Sequence, residues 1–116
     1  MQRSLDLYLK DILKAGEAIQ TYVSAETLAT YLEHDMVRSA VERQLTIIGE
    51  ALSKAGQFYP DQVHQRISQE REIVAFRHRV IHGYFAVDDE IVWSVIQTYL
   101  PRLLAEVKAL LSELPK

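Results

Sequence analysis

Apolar residues recur at spacings of three and four along almost the whole chain, and no segment alternates apolar with polar as a half-buried strand would. That period makes helices the regular structure able to gather the apolar side chains on one side. Leu5, Tyr8, Leu9, Ile12, Ala15, Ile19, Tyr22 and Val23 form a first stripe about five turns long. Ser24 reads as the N-cap of a short helix through Leu28, Tyr31 and Leu32. A long helix opens near His34 and Asp35, with Val37, Val41, Leu45, Ile48 and Leu52 inward and Ala40, Gln44, Ile47 and Ala51 beside them. Gly49 inside it costs roughly 1 kcal/mol against alanine, which the close approach of another backbone would offset. Gly56 fits the position just past the helix end.

Phe58 to Asp61 reads as a turn around Pro60, followed by a brief helix over 63–67. Ser68 is the expected N-cap of the next helix, whose first turn holds Glu70 and Glu72 at the positive end of the helix dipole. Ile73, Phe76, Val80 and Tyr84 are its inner positions, and Gly83 stands where a C-terminal left-handed residue would go. For the last helix, Asp88 is the expected N-cap and Val87 against Val92 a hydrophobic staple. Its inner stripe runs through Val95, Ile96, Tyr99, Leu103, Val107, Leu110 and Leu114, and Pro101 predicts a kink. The pattern predicts an all-α, mainly antiparallel helical bundle of about four main helices plus short corner helices, in a single domain over residues 1–116. The wide stripes of the first and last helices suit a dimer face or a filled monomer core equally well.

Composition narrows the function. Hydrophobic content of 48% beside 25% charged residues is ordinary for a globular chain. A net charge of −3 excludes a broadly basic nucleic-acid binder, so any such binding uses a local patch. With no cysteine there are no disulfides or thiolate metal sites, which fits a cytoplasmic setting. No window approaches the roughly 18 apolar residues of a membrane span. Asp6, Lys10 and Asp11 interrupt the N-terminal apolar residues in a way foreign to a signal peptide.

The local patch is Arg77-His78-Arg79-Val80-Ile81-His82-Gly83-Tyr84. Arginine is a permanently charged fork suited to phosphate, and histidine exchanges protons near neutrality. With no acidic metal-binding cluster nearby, this is the minimum set for metal-independent RNA cleavage. An imidazole moves the proton of the ribose 2′-hydroxyl or of the leaving 5′-oxygen, and a guanidinium opposes charge on the phosphate. Arg77 and His82 lie five residues apart, about 140° around an ideal helix and about 7.5 Å along it. One small target therefore needs either a helix break near Gly83 or a cleft between two copies of the chain. The same residues also fit a structural ion pair or a helix-end cap, and Tyr84 also fits core packing. His78 and His82, four apart, suit a shared metal, but no Glu follows the first histidine and His34 and His64 are distant, so no metal site is assigned. Arg43 and Glu50 lie two turns apart on the long helix and are able to bridge.

The Arg77-x4-His82-x-Tyr84 pattern resembles the motif of the HEPN superfamily, specifically the HepT toxins of toxin–antitoxin pairs. The likeness extends over Val41-Glu42-Arg43-Gln44-Leu45-Thr46-Ile47-Ile48-Gly49-Glu50-Ala51, Ile81-His82-Gly83-Tyr84, Val92-Trp93 and Leu100-Pro101. The resemblance implies a HEPN-like bundle that forms a homodimer, its motif residues lining a cleft, and an RNA substrate cleaved by Arg77 and His82 without a cofactor. It implies an antitoxin partner, a small MntA-type nucleotidyltransferase that transfers AMP from ATP onto Tyr84. His78 stands where the family often has asparagine or another polar residue. With Arg79 it is expected to contact substrate phosphate, and Glu50 is expected to orient a motif arginine or histidine. The competing expectation is a non-catalytic HEPN module that binds RNA or nucleotide, or docks the transferase.

Overall fold

The computed structural model describes residues 3–82 and 88–115, with side chains for 3–76 and 88–115. The described residues fold into α1 (Leu5–Val23), α2 (Leu28–Glu33), α3 (Asp35–Phe58), α4 (Pro60–Arg66), α5 (Glu70–His82) and α6 (Asp89–Glu113), with no strand among them. Three long helices and one medium one thus make an all-α bundle, with α2 and α4 at the corners.

Helix α1 buries Leu9, Ile12 and Ile19 completely and runs antiparallel to α3. The two ends of the pair set that direction. The Tyr59 hydroxyl donates to the Arg3 carbonyl at 2.8 Å, and the Gln44 amide reaches the Tyr22 hydroxyl at 3.5 Å. Helix α6 crosses the other side of α1, where a Cβ on Gly16 would lie 2.5 Å from a Leu104 methyl. The close approach is thus seen at Gly16, one turn from Ile12 on the same buried face, and Gly49 is buried within α3. At the far end of α6, Glu106 holds the Ser68 amide at 3.2 Å and its hydroxyl at 3.1 Å, and Glu113 pairs with Arg66 at 3.0 Å.

Several local expectations need correction. Ser24 caps the end of α1, its hydroxyl donating to the Thr21 carbonyl, while α2 starts at Thr27. Thr27 and Thr30 exchange side-chain and backbone hydrogen bonds in a reciprocal capping box, which satisfies more of the open helix end than a lone serine does. Gly56 does not end α3. The helix continues to Phe58, no glycine among the described residues has positive φ, and Gly56 is small because the Glu70 carboxylate lies against it. Ser68 is engaged by Glu106, and the carbonyl that accepts the first α5 hydrogen bond belongs to Gln69. Tyr22 and Tyr99 were expected inside but are 38% and 42% exposed. Leu100 and Leu104 take the inner positions on α6, because that helix packs against α1 along its length and against the corner helices α2 and α4.

Other expectations hold. Asp88 caps α6, accepting from the Glu90 amide at 2.9 Å and the Ile91 amide at 3.3 Å. Pro60 opens α4 at the first helical turn. Helix α6 carries Pro101 within it, where the missing N–H leaves the carbonyl of exposed Gln97 without its helical donor. Val87 and its staple lie outside the described residues.

Candidate functional site

Helix α5 carries the arginine–histidine motif in its second half, and its first half seats it. Ile73, Val74 and Phe76 pack on the core, and Glu70 lies against Gly56 of α3. Glu70 also pairs with His64, which ties the start of α5 to α4. The helix is unbroken through His82, so the backbone bearings of Arg77 and His82 differ by about 140°. The side chains of Arg77, His78, Arg79 and His82 lie outside the described residues, as do Gly83 and Tyr84.

The contact between Gly56 and Glu70 sets the register of α3 on α5. Leu45 and Ile48 share a groove with Ile73 and Phe76, so the helices run antiparallel. At about 1.5 Å per residue, twelve residues back from Gly56 and twelve forward from Glu70 bring Gln44 level with His82. The third turn of α3 therefore stands beside the motif end of α5.

Two features flank that end. One is an apolar groove of about 350 Å³ between α3, α5 and α6, floored by Leu45, Ile48 and Phe76 and open along Ile91 and Tyr99. Ile91 and Tyr99 are more than two-fifths exposed, so a sizeable apolar strip faces outward here. The other is a polar cluster where α2, α3 and α6 meet. Arg38 donates to the Tyr31 and Leu32 carbonyls at 3.2 and 2.5 Å and pairs with Asp35 and Asp89 at 3.3 and 3.4 Å. It thereby fastens the last carbonyls of α2 to the first residue of α6. Tyr31 is fully buried against Trp93, ring centroids 5.2 Å apart, and its hydroxyl has no partner among the described residues. Burial, with Asp89 and Glu42 adding to it, pushes that phenol well above the usual tyrosine range.

Glu42 stands in this cluster, one turn after Arg38. Desolvation raises its pKa above the ordinary carboxylate value, with Asp89 and Asp35 acting in the same direction and Arg38 opposing them. Sequence reasoning passed over Glu42. The available signal was its i, i+4 relation to Arg38 on the helix face that leads to the motif. Glu50, singled out instead, pairs with Lys54 at 3.5 Å and lines a shallow groove with Arg3, Tyr8 and Asp11 on the α1 side. No ion pair joins Arg43 to Glu50 among the described residues. Among those residues, no three His, Asp or Glu side chains are grouped to hold a metal ion, and no helix is long and apolar enough to cross a membrane.

Comparison with known proteins places these features in a family context. The family described as Ribonuclease HepT-like matches residues 12–110. The chain is 32% identical over 110 residues to "Probable ribonuclease HepT" of Thermococcus cleftensis, covering 95% of this chain and 98% of that protein. It is 29% identical over 106 residues to "Putative RNase TTE0752" of Caldanaerobacter subterraneus subsp. tengcongensis, covering 91% and 93% of the two chains. It is also 28% identical over 116 residues to "Gamma-glutamylcyclotransferase and putative RNase MJ0434" of Methanocaldococcus jannaschii, of whose length it spans about half, 51%. No solved structure matches the chain.

Proposed function

We propose, for a chain that belongs to the HepT-like ribonuclease family, that it is a metal-independent endoribonuclease acting as the toxin of a toxin–antitoxin pair in the cytoplasm. The family match carries this reading, because residues 12–110 take in both Arg77 and His82. In the proposed reaction one imidazole, His82, takes the proton of a ribose 2′-hydroxyl. The 2′-oxygen then bonds to phosphorus, and the bond to the 5′-oxygen breaks. A second imidazole, His78 of the same helix or His82 of the partner subunit, protonates the leaving oxygen. The products are a 2′,3′-cyclic phosphate and a 5′-hydroxyl. Arg77 opposes the charge that builds on the phosphoryl oxygens, and Arg79 and His78 hold flanking phosphate.

The working unit in this reading is a homodimer. An unbroken α5 through His82 keeps the backbone bearings of Arg77 and His82 apart, which suits a cleft between two copies. The alternative, a break near Gly83, lies outside the described residues. The exposed apolar strip beside the motif offers the surface. Ile91→Glu combined with Tyr99→Glu is expected to weaken self-association at least tenfold in sedimentation equilibrium while helical content stays unchanged. A double variant that sediments like the wild type would place the dimer face elsewhere.

The antitoxin in this reading is a nucleotidyltransferase that attaches AMP to Tyr84. The phenol oxygen attacks the α-phosphorus of ATP and pyrophosphate leaves, so the added phosphate occupies Arg77 and repels RNA. Incubation with transferase and ATP is expected to add one or more AMP masses to the wild type and none to Tyr84→Phe. Equal addition to both would move the acceptor. For the proposed function as a whole, purified protein in excess chelator is expected to fragment single-stranded RNA. RNA that stays intact but bound would mark a non-catalytic module instead.

A further inference from the structure

Gly49 and Gly56 stand seven residues apart inside α3, and both are buried. Glycine within a helix is unfavourable against alanine, so each position needs an offsetting reason. At Gly56 the reason is visible, because a Cβ there would collide with the Glu70 carboxylate of α5. Glu70 is held in place by His64 of α4, so this contact seats the start of α5 on α3.

The same relation recurs one step along the pair. Seven residues are nearly two full turns, so Gly49 lies about 20° around α3 from Gly56 and about 10.5 Å nearer its start. It therefore shares the face that Gly56 turns to α5. Arg77 follows Glu70 by seven residues as well, which puts its Cα about 20° from that of Glu70 and about 10.5 Å further along α5. Both helices are unbroken over these stretches, and they run antiparallel. The step back along α3 thus matches the step forward along α5, and the Arg77 turn passes Gly49 as the Glu70 turn passes Gly56. Residues between the two levels fit this register. Leu52 of α3 falls midway and is wholly buried, and opposite it Ile73 and Val74 of α5 pack on the core.

We propose that Gly49 is a positioning residue for RNA cleavage: its bare backbone sets how closely the Arg77 turn of α5 lies on α3, and with it the placement of the arginine at the scissile phosphate. This rests on the reading of Arg77 as the group that opposes transition-state charge. The two glycines then divide the work along α5. Gly56 admits the residue that anchors the helix, and Gly49 admits the turn that opens the motif. A methyl at position 49 has to push that turn, or the side chain it carries, aside. Since a misplacement of about 1 Å costs on the order of a hundredfold in rate, cleavage should suffer more than folding does.

The test uses the full chain with Gly49→Ala, Arg77→Ala and the double variant, each measured for RNA cleavage and for thermal melting. Gly49→Ala is expected to lower kcat about ten- to a hundredfold with KM within about twofold, while circular dichroism stays that of the wild type. In the Arg77→Ala background the same change should cost no further rate. Melting reads the contact itself. Alanine in place of a helical glycine facing open space raises the melting temperature by roughly 3–6 °C. That gain should be absent in the wild-type background and should appear once Arg77 has been cut back to alanine, because neighbouring positions do not add. Wild-type kcat in Gly49→Ala would overturn the proposal, whatever the melting shows. So would melting shifts that simply add in the double variant, since the Arg77 turn would then not lie against Gly49. If Arg77→Ala itself cleaves RNA normally, the reading of Arg77 fails and the role in cleavage proposed for Gly49 fails with it. The melting shifts then separately uphold or reject the contact.

Discussion

Alanine at His82 is expected to reduce RNA cleavage by about a hundred- to ten-thousandfold, the range that a positioned proton-transfer group contributes. Alanine at Arg77 should lose a comparable factor, because it removes the charge that opposes the phosphoryl oxygens in the transition state. The two losses should not multiply. Once either member is gone the other has no transition state to act on, so the double variant should cleave about as slowly as the worse single one. Neither change touches the residues that seat the helix, since Ile73, Val74 and Phe76 remain against the core. Circular dichroism and sedimentation of both variants should match the wild type, and full cleavage by either would withdraw that residue from the catalytic pair.

The largest stability effect is expected at Ile12→Ala. Ile12 is wholly buried in the stripe that joins α1 to its neighbours, and Gly16, one turn on, allows Leu104 of α6 to press closely there. Truncating a core isoleucine to alanine costs about 2–5 kcal/mol, because the lost transfer energy is joined by a cavity that the surroundings refill only partly. Against a total of about 5–15 kcal/mol for a single domain, that is a large share. The melting temperature should fall by about 10 °C or more. Met36→Ala, at a residue 80% exposed, should stay within about 0.5 kcal/mol of the wild type. A small effect at Ile12 would mean that α1 does not organise the core as described.

Much of the bundle was readable because the three-and-four pattern is set by local geometry. Leu9, Ile12, Val41, Leu45, Ile96 and Val107 fall inside as their spacing requires. Apart from the start of α2, which is settled locally, the errors share one cause: features decided by partners distant in sequence. Ser24 and Thr27 are both sound caps, and only the hydroxyl of Thr30 settles which one starts α2. Gly56 looks like a helix stop until Glu70, fourteen residues on, is seen pressed against it. Tyr99 and Leu100 fit the period equally well, and the packing of α6 on α1, α2 and α4 selects the leucine. The motif itself was legible as chemistry, from residue types and their five-residue separation. The polar cluster of Arg38, Asp35 and Asp89 was not, because it is assembled from α3 and α6, whose closeness no local spacing shows. Glu50 attracted attention within the same signature, yet its described partner is Lys54 on the α1 side.

End-group analysis of RNA cut by the purified protein in excess chelator tests the central claim most directly. Proton transfer by imidazole with attack by the neighbouring 2′-oxygen requires 2′,3′-cyclic phosphate and 5′-hydroxyl ends, undiminished by chelation, and no cutting where the 2′-hydroxyl is replaced by methoxy. Products with 5′-phosphate ends, or activity that chelator removes and a divalent cation restores, would contradict it.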